Sequence, residues 1–297
     1  MSDDGRVQFE QLVGELRPKL HRYCARMTGS AVDGEDIVQD ALMKAFAALP
    51  SVGVIDNPAG WLFRIAHNTA LDFLRRRLRG PMMQDDEALD RIAASVSPAP
   101  DHEAATMSLR TFLRLPALQR SAVILKDVLG HSLEEVASIT GASEAAAKSA
   151  LQRGRVRLRE FAKEPADVSL PMLSDGMRAR LATYVEGFKI GDFDTVRAML
   201  ADDVKLDLVA KMRKQGKSEV GDYYTAYAAA KQWAYAAGVV DGQAAMLVYD
   251  REISLETPAY FVALSFDGDR LVSIHDFLYA RYAMEGIDLS LLNPRAL

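Results

Sequence analysis

Four groups of residues in this chain carry chemistry at suggestive spacing. His275 and Asp276 are adjacent, the pairing of a base with a carboxylate that can orient it. Successive strand residues point to opposite faces, so the two cannot both line one cavity. A histidine on a sheet surface, or satisfied within the core, accounts for His275 better. His21 and Cys24 have ligand-like spacing, but Cys24 is the single cysteine and the five histidines are scattered, which argues against zinc and excludes a disulfide framework. The two remaining groups are cationic. Arg75, Arg76, Arg77 and Arg79 form one cluster, and Lys148, Arg153, Arg155, Arg157, Arg159 and Lys163 form another that only Glu160 opposes locally. Such groups neutralise phosphates, and two of them on otherwise acidic segments suit two contacts with a polyanion. The expectation is a protein with no catalytic residue, no metal and no cofactor in its helical part.

Composition narrows the class. The 297 residues are 49% hydrophobic and can bury a sizeable core. Their mean hydropathy of -0.05, with no run of eighteen apolar residues, speaks against a membrane span. The N-terminal MSDDGRVQFEQ lacks the basic and apolar regions of a signal peptide, so a soluble cytoplasmic protein is expected. The net charge of -5 hides an asymmetry. Residues 1–164 hold 22 basic and 22 acidic side chains, and 165–297 hold 14 and 19, so the acidic surplus lies in the C-terminal part.

These clusters need elements to position them. Residues 8–27 carry Phe9, Leu12, Val13, Leu16, Leu20 and Tyr23 near a 3.6-residue period. Gly34-Glu35-Asp36 reads as the opening of a second helix, with acids at its N-terminus. Asn57 caps a third, with Pro58 in its first turn. Along that helix Leu62, Ile65, Ala66, Thr69 and Phe73 make an inward stripe. Arg64, Asn68, Asp72, Arg75, Arg76 and Arg79 make an outward one, flanked by Trp61 and Phe63. The outward groups can hold phosphates and pair with or stack on an unstacked base. Trp61 is equally well placed as a core anchor.

The second cluster sits on a helix-turn-helix. After Leu115-Pro116 comes a helix ending at Gly130. Ser132 and Glu135 then fit a capping box, and Thr140–Ser143 make a tight turn before a longer helix reaching about Arg159. In that helix Ala147, Leu151, Gly154 and Leu158 face inward, and Lys148, Gln152, Arg155 and Arg159 follow one residue later. An exposed N-terminal half offering Ser143, Glu144, Lys148 and Gln152 suits the major groove. Glutamine can read adenine and lysine guanine there, while Arg153, Arg155 and Arg157 neutralise phosphates.

Two stretches divide the chain. Residues 80–104 hold a glycine, three prolines and six acids without apolar periodicity, a flexible linker, and 163–175 make a shorter break. The expected organisation is 1–80, linker 81–104, 105–162, linker 163–175 and 176–297. The last block reads as two helices, a strand, the helix DYYTAYAAAKQW, and strand-like runs punctuated by Asp241-Gly242 and Asp267-Gly268 turns. That is an α+β domain with a curved antiparallel sheet.

The stretches DGEDIVQDALMKAF, NPAGWLFRIAHNTALDFLRRR and LPALQRSAVILKDVLGHSLEEVASITGASEAAAKSALQRGRVRLRE resemble the extracytoplasmic-function (ECF) sigma factors, promoter-recognition subunits of bacterial RNA polymerase. The resemblance implies two all-α domains, the second a helix-turn-helix, with the polymerase core and promoter DNA as partners. It places core-polymerase contacts at Glu35, Asp36, Gln39 and Asp40. Minus-ten contacts would come from the loop 51–57 and from Asn57, Trp61, Arg64, Asn68, Asp72, Arg75 and Arg76. Minus-thirty-five contacts would come from Ser143, Glu144, Lys148, Gln152, Arg153 and Arg155.

YVEGFKIGDFDTVRAMLADDV and DGDRLVSIHDFLYA resemble the SnoaL-like branch of the NTF2-like cone fold, and the combination resembles ECF groups with such a domain fused. That fold hosts isomerases, cyclases and binding proteins, so it does not decide a function. Candidate pocket residues are Tyr184, Asp207, Tyr223, Tyr227, Trp233, Tyr249, His275 and Asp276. The preferred reading is a regulatory domain that packs on the sigma domains, with an apolar tail, LSLLNPRAL, that docks back, and a small-molecule ligand of unknown type. The competing readings are a ligand-responsive helix-turn-helix regulator and an isomerase or cyclase with a DNA-binding appendage.

Overall fold

The computed structural model describes residues 3–53, 55–78, 107–163 and 173–293, so linker 81–104 and most of the second break lie outside the described residues. The chain forms two compact units, residues 1–166 and 167–297.

The first unit is helical. Helix α1 spans Asp3–Thr28, α2 Ala31–Ala48 and α3 Pro58–Leu78. Helix α2 begins three residues before Gly34-Glu35-Asp36, because Ser30 caps it by accepting from Asp33 N. Gly34 lies inside the helix, where a Cβ would come within 2.6 Å of the Ala25 backbone, so this glycine lets α1 and α2 touch. At α3 the expected cap is present: Asn57 Oδ1 accepts from Gly60 N at 2.8 Å.

Four more helices complete the unit: α4 (Leu109–Leu113), α5 (Ala117–Val123), α6 (Leu133–Thr140) and α7 (Glu144–Lys163). A π-helical stretch, Ile124–Val128, continues α5 toward Gly130. The Ser132–Glu135 capping box forms, Gly141 ends α6 with φ 71°, and Ser143 Oγ caps α7 through Ala146 N. Gly154 brings α7 onto α5, since a Cβ there would lie 2.7 Å from Val123. The two helical blocks share one core, which joins Leu20, Tyr23 and Phe63 to Phe112, Val123 and Leu158.

In the second unit, α8 (Asp175–Ile190) and α9 (Phe193–Ala198) precede β1 (Leu200–Leu208) and β2 (Met212–Gln215). Short helices α10 (Lys217–Gly221) and α11 (Tyr223–Ala229) follow. Strands β3 (Trp233–Val240), β4 (Gln243–Asp250), β5 (Tyr260–Asp267) and β6 (Arg270–Asp276) make the meander. The sheet order is β2-β1-β6-β5-β4-β3-β7, with β7 at Leu289–Leu291. All pairs are antiparallel except β1 with β6, an exception to the antiparallel expectation. Asp241 (φ 50°) and Gly242 (φ 85°) make the β3–β4 turn.

The tail docks as an edge strand. Leu289–Leu291 pairs with Val240–Gly238. Gly238 permits it, because a Cβ there would sit 2.8 Å from Ser290 O and 2.6 Å from Leu247.

Candidate functional site

Helix α3 presents the expected outward stripe. Arg64, Asn68, Asp72, Arg75 and Arg76 are all exposed, while Leu62, Ala66 and Thr69 are buried. Asp72 organises the cations beside it: its carboxylate accepts from Arg75 at 3.0 Å and its carbonyl from Arg76 Nε at 3.3 Å. Arg77 instead bridges to Asp33 on α2 at 2.9 Å. Phe63, read as flanking the stripe, is a core residue. Trp61 is half-buried against the core and meets Phe9 edge-on at 6.2 Å. Asn57, spent partly on its cap, shares a cleft with Ser132, Glu134 and Glu135 of α6.

On α7, Ser143, Glu144 and Lys148 are exposed, and Gln152 and Arg153 are half-exposed. Arg155 is not available to phosphates. It is 3% exposed and makes a fork to Asp127, with Nε to Oδ2 at 2.9 Å and Nη2 to Oδ1 at 2.5 Å. The periodicity placed Arg155 one residue from the buried Gly154. Because the π-helical stretch after α5 carries Asp127 toward that edge, the guanidinium is drawn inward as a paired charge.

On α2, Asp36 and Gln39 are half-exposed and Asp40 is exposed. Glu35 faces the core, fully buried and ion-paired with Arg17 of α1, so it drops out of the contact face. Met43 (53% exposed) and Phe46 (36%) flank that face and were absent from the sequence reading. Their signal was available: a surface helix ordinarily hides large apolar side chains, and these fall off the buried stripe of Ile37, Val38, Ala41, Leu42 and Ala45.

Two sigma-factor families cover this unit. Sigma-70 region 2 matches residues 12–80 and sigma-70 region 4 matches residues 109–158. The ECF RNA polymerase sigma factor SigM of Mycobacterium tuberculosis is 31% identical over 153 residues, covering 52% of this chain and 76% of SigM. The chain belongs to the ECF sigma factors. The match to SigG of the same organism, 31% identical over 218 residues, takes in 65% of this sigma factor and 59% of SigG. That share exceeds residues 1–166, so the similarity runs into the second unit. This chain therefore spans less than two thirds of SigG's length. The crystal structure of M. tuberculosis SigJ is 21% identical, with 90% of this chain and 95% of SigJ covered and a TM-score of 0.37.

A buried polar chain ties regions 2 and 4 of the sigma factor together. His67 Nδ1 lies 2.7 Å from Tyr23 Oη, which donates to Ser121 Oγ at 3.1 Å. Burial, helped by the charge of Arg75, lowers the His67 pKa to about 4, so the ring is neutral at pH 7. Arg120 of α5 donates to Met27 O at 2.6 Å, and to the carbonyls of Leu113 and Leu115 at 3.0 and 2.8 Å. His67 was outside the sequence reading, since its position among alternating α3 stripes does not reveal a partner on α1.

In the second unit, the expected pocket residues separate. Asp207 and His275 are register partners on β1 and β6 and share the sheet face opposite Asp276. Asp207 is buried and pairs with Arg213 at 2.8 Å. Neither lines the cavity, which corrects both assignments. Tyr184 lies wholly within the aromatic core, 3.4 Å from Tyr224 Oη, and also misses the cavity lining. Tyr249 alternates with Val248 and likewise faces away.

Tyr227 and Trp233 do line a cavity of about 510 Å³ formed by the end of α8, by α9 and α11, and by the start of β3. Beneath it lies Asp276, fully buried, whose Oδ2 accepts from Tyr223 at 2.6 Å and Tyr227 at 2.7 Å and whose Oδ1 accepts from Leu278 N at 2.8 Å. Tyr260 lies 2.9 Å from Tyr227 Oη and can donate to it. Burial raises the Asp276 pKa, and the two phenols and the amide pull it back. Burial also pushes the phenols of Tyr223 and Tyr227 up, and the Asp276 charge adds to this. Among the described residues, no Asp, Glu or His lines the cavity. With the Tyr227 proton committed to Asp276, the lining offers neither a carboxylate or imidazole base nor a spare Tyr227 donor.

Proposed function

We propose that this protein directs RNA polymerase to promoters as an ECF sigma factor. Core polymerase docks on the α2 face of Asp36, Gln39 and Asp40, extended by Met43 and Phe46. The loop 51–57 and the exposed stripe of α3 engage the minus-ten element, and α7 reads the minus-thirty-five element through Ser143, Glu144, Lys148 and Gln152. The observation that carries this reading is the pair of exposed polar and cationic stripes on α3 and α7, each mounted on a buried apolar face. Opening a duplex costs a few kcal/mol for each extruded base, returned by contacts in the protein, and needs no covalent step by the sigma subunit. The protein works in the cytoplasm at the nucleoid and turns over no substrate.

The second unit modulates this activity. Its support is the sheet-edge docking of Leu289–Leu291, which gives the tail a defined seat. The test is transcription from a promoter by core polymerase with and without the purified chain. Promoter-dependent transcript is expected, and failure of the chain to bind core polymerase would overturn the reading. Removing residues 286–297 should change the promoter output. Unaltered transcription would refute the modulating role and leave the sigma role standing.

A further inference from the structure

We infer that the cavity of the second unit is a binding site for a small amphipathic organic acid, with a ring-bearing apolar body and one carboxylate. It goes beyond the promoter reading and depends only on the second unit.

The cavity has the size of a site for a drug-sized molecule. Its walls are aromatic: Phe188, Phe193, Trp233 and Tyr235, joined by Tyr227. Flat apolar rings of this kind favour a flat apolar partner, edge-on or offset. Exposed Ile190 (68%) and Leu255 (45%) also line it, apolar surface left in water without an apolar neighbour to hide it.

Charge selects the other end of the ligand. Three lining residues are cations, Lys189, Lys231 and Arg251, and none is acidic. This holds in a part of the chain where acids outnumber bases, 19 to 14 over residues 165–297. Arg251 is held by one hydrogen bond, from Nε to Trp233 O at 3.1 Å, which keeps the side chain beside the aromatic wall and leaves its terminal amino groups for a bidentate acceptor. At the aromatic end the Tyr227 proton is already taken, because Tyr227 donates to Asp276. A carboxylate at Arg251 and Lys231, with its ring body against Trp233 and Phe188, satisfies both halves. Binding of the acid at this site involves no chemical step.

The test exploits the two tryptophans. In the full chain carrying Trp61→Phe, Trp233 is the single reporter and sits in the wall of the site. Titration with 1-naphthoate should change its emission saturably. Neutral 1-naphthalenemethanol should bind at least about tenfold more weakly, and the Lys231→Gln/Arg251→Gln double variant should lose at least about tenfold in naphthoate affinity. Calorimetry on the Trp233→Phe chain gives the same comparison without the reporter, and circular dichroism confirms that each variant is folded. Equal binding of acid and alcohol, or a charge-deleted variant that binds unchanged, would overturn the assignment. So would the absence of saturable binding. None of these outcomes depends on polymerase, so failure here is distinct from failure of the promoter reading.

Discussion

Each unit of this sigma factor buries a chain of polar groups, and the chain in the second unit alone includes an acid. In the first unit His67, Tyr23 and Ser121 are all neutral, and the chain joins α1 and α3 to α5 across the seam between regions 2 and 4. In the second unit the chain Tyr260–Tyr227–Asp276–Tyr223 converges on a carboxyl group and stays within one α+β fold beneath a cavity. A neutral network serves as a fastener: it satisfies buried groups without the cost of a desolvated charge. A network that converges on an acid must spend donors to hold that acid, and here two tyrosines and a backbone amide do so. The first unit also carries exposed cations on α3 and α7, Arg64, Arg75, Arg76 and Lys148 among them.

The contrast can be broken most severely at Arg120. Replacing it with alanine removes three hydrogen bonds to backbone carbonyls, one of them to Met27 across the region 2–region 4 seam. The first unit should lose about 4 kcal/mol, read as an earlier urea transition of Trp61 emission in a Trp233→Phe background, with the second unit unchanged. Next in size is the pH response. The His67 pKa is lowered on folding, so its contribution is complete above pH 6.5 and is lost as pH falls toward about 4. That loss is on the order of 3 kcal/mol. Asp276 has the opposite sign: its pKa is raised, so acidification stabilises the second unit. Denaturant titrations from pH 8 to 4, following Trp61 and Trp233 in the two single-tryptophan backgrounds, should diverge. His67→Gln should flatten the first profile.

The exposed stripe should be separable from the core beneath it. Lys148→Ala should lower minus-thirty-five-dependent transcription by roughly fivefold to a hundredfold, the cost of one base contact, and leave the first-unit unfolding midpoint within about 0.5 kcal/mol. Gly238→Val should cost the second unit roughly 1–3 kcal/mol by forcing a side chain against Leu247 and Ser290. Faster amide exchange across Leu289–Leu291 would report the released edge. Last comes Asp276→Asn, which keeps an acceptor for both tyrosines but turns its amide nitrogen toward Leu278 N. Stability at pH 7 should fall by about 1 kcal/mol, and the second unit's gain on acidification should vanish.

Local spacing determined a good deal by itself. The caps at Asn57, Ser132 and Ser143 and the turn at Gly141 were readable because a cap is a contact within four residues. The outward stripe of α3 was readable because a helix repeats every 3.6 residues. Alternation also separated His275 from Asp276, since neighbours on a strand cannot share a face. The tertiary structure decided what periodicity cannot see, namely which partner a side chain meets across the fold. Arg155 and Glu35 fell on faces that spacing left exposed or ambiguous, and distant Asp127 and Arg17 drew them inside. Asp276 became the acid beneath the cavity, and Asp207 and His275 did not line it, because that outcome depends on which strand lies beside which and in what register. Strand β7 and the parallel β1–β6 pair are of the same kind. A short segment carries no record of the neighbour it will find when that neighbour lies dozens of residues away.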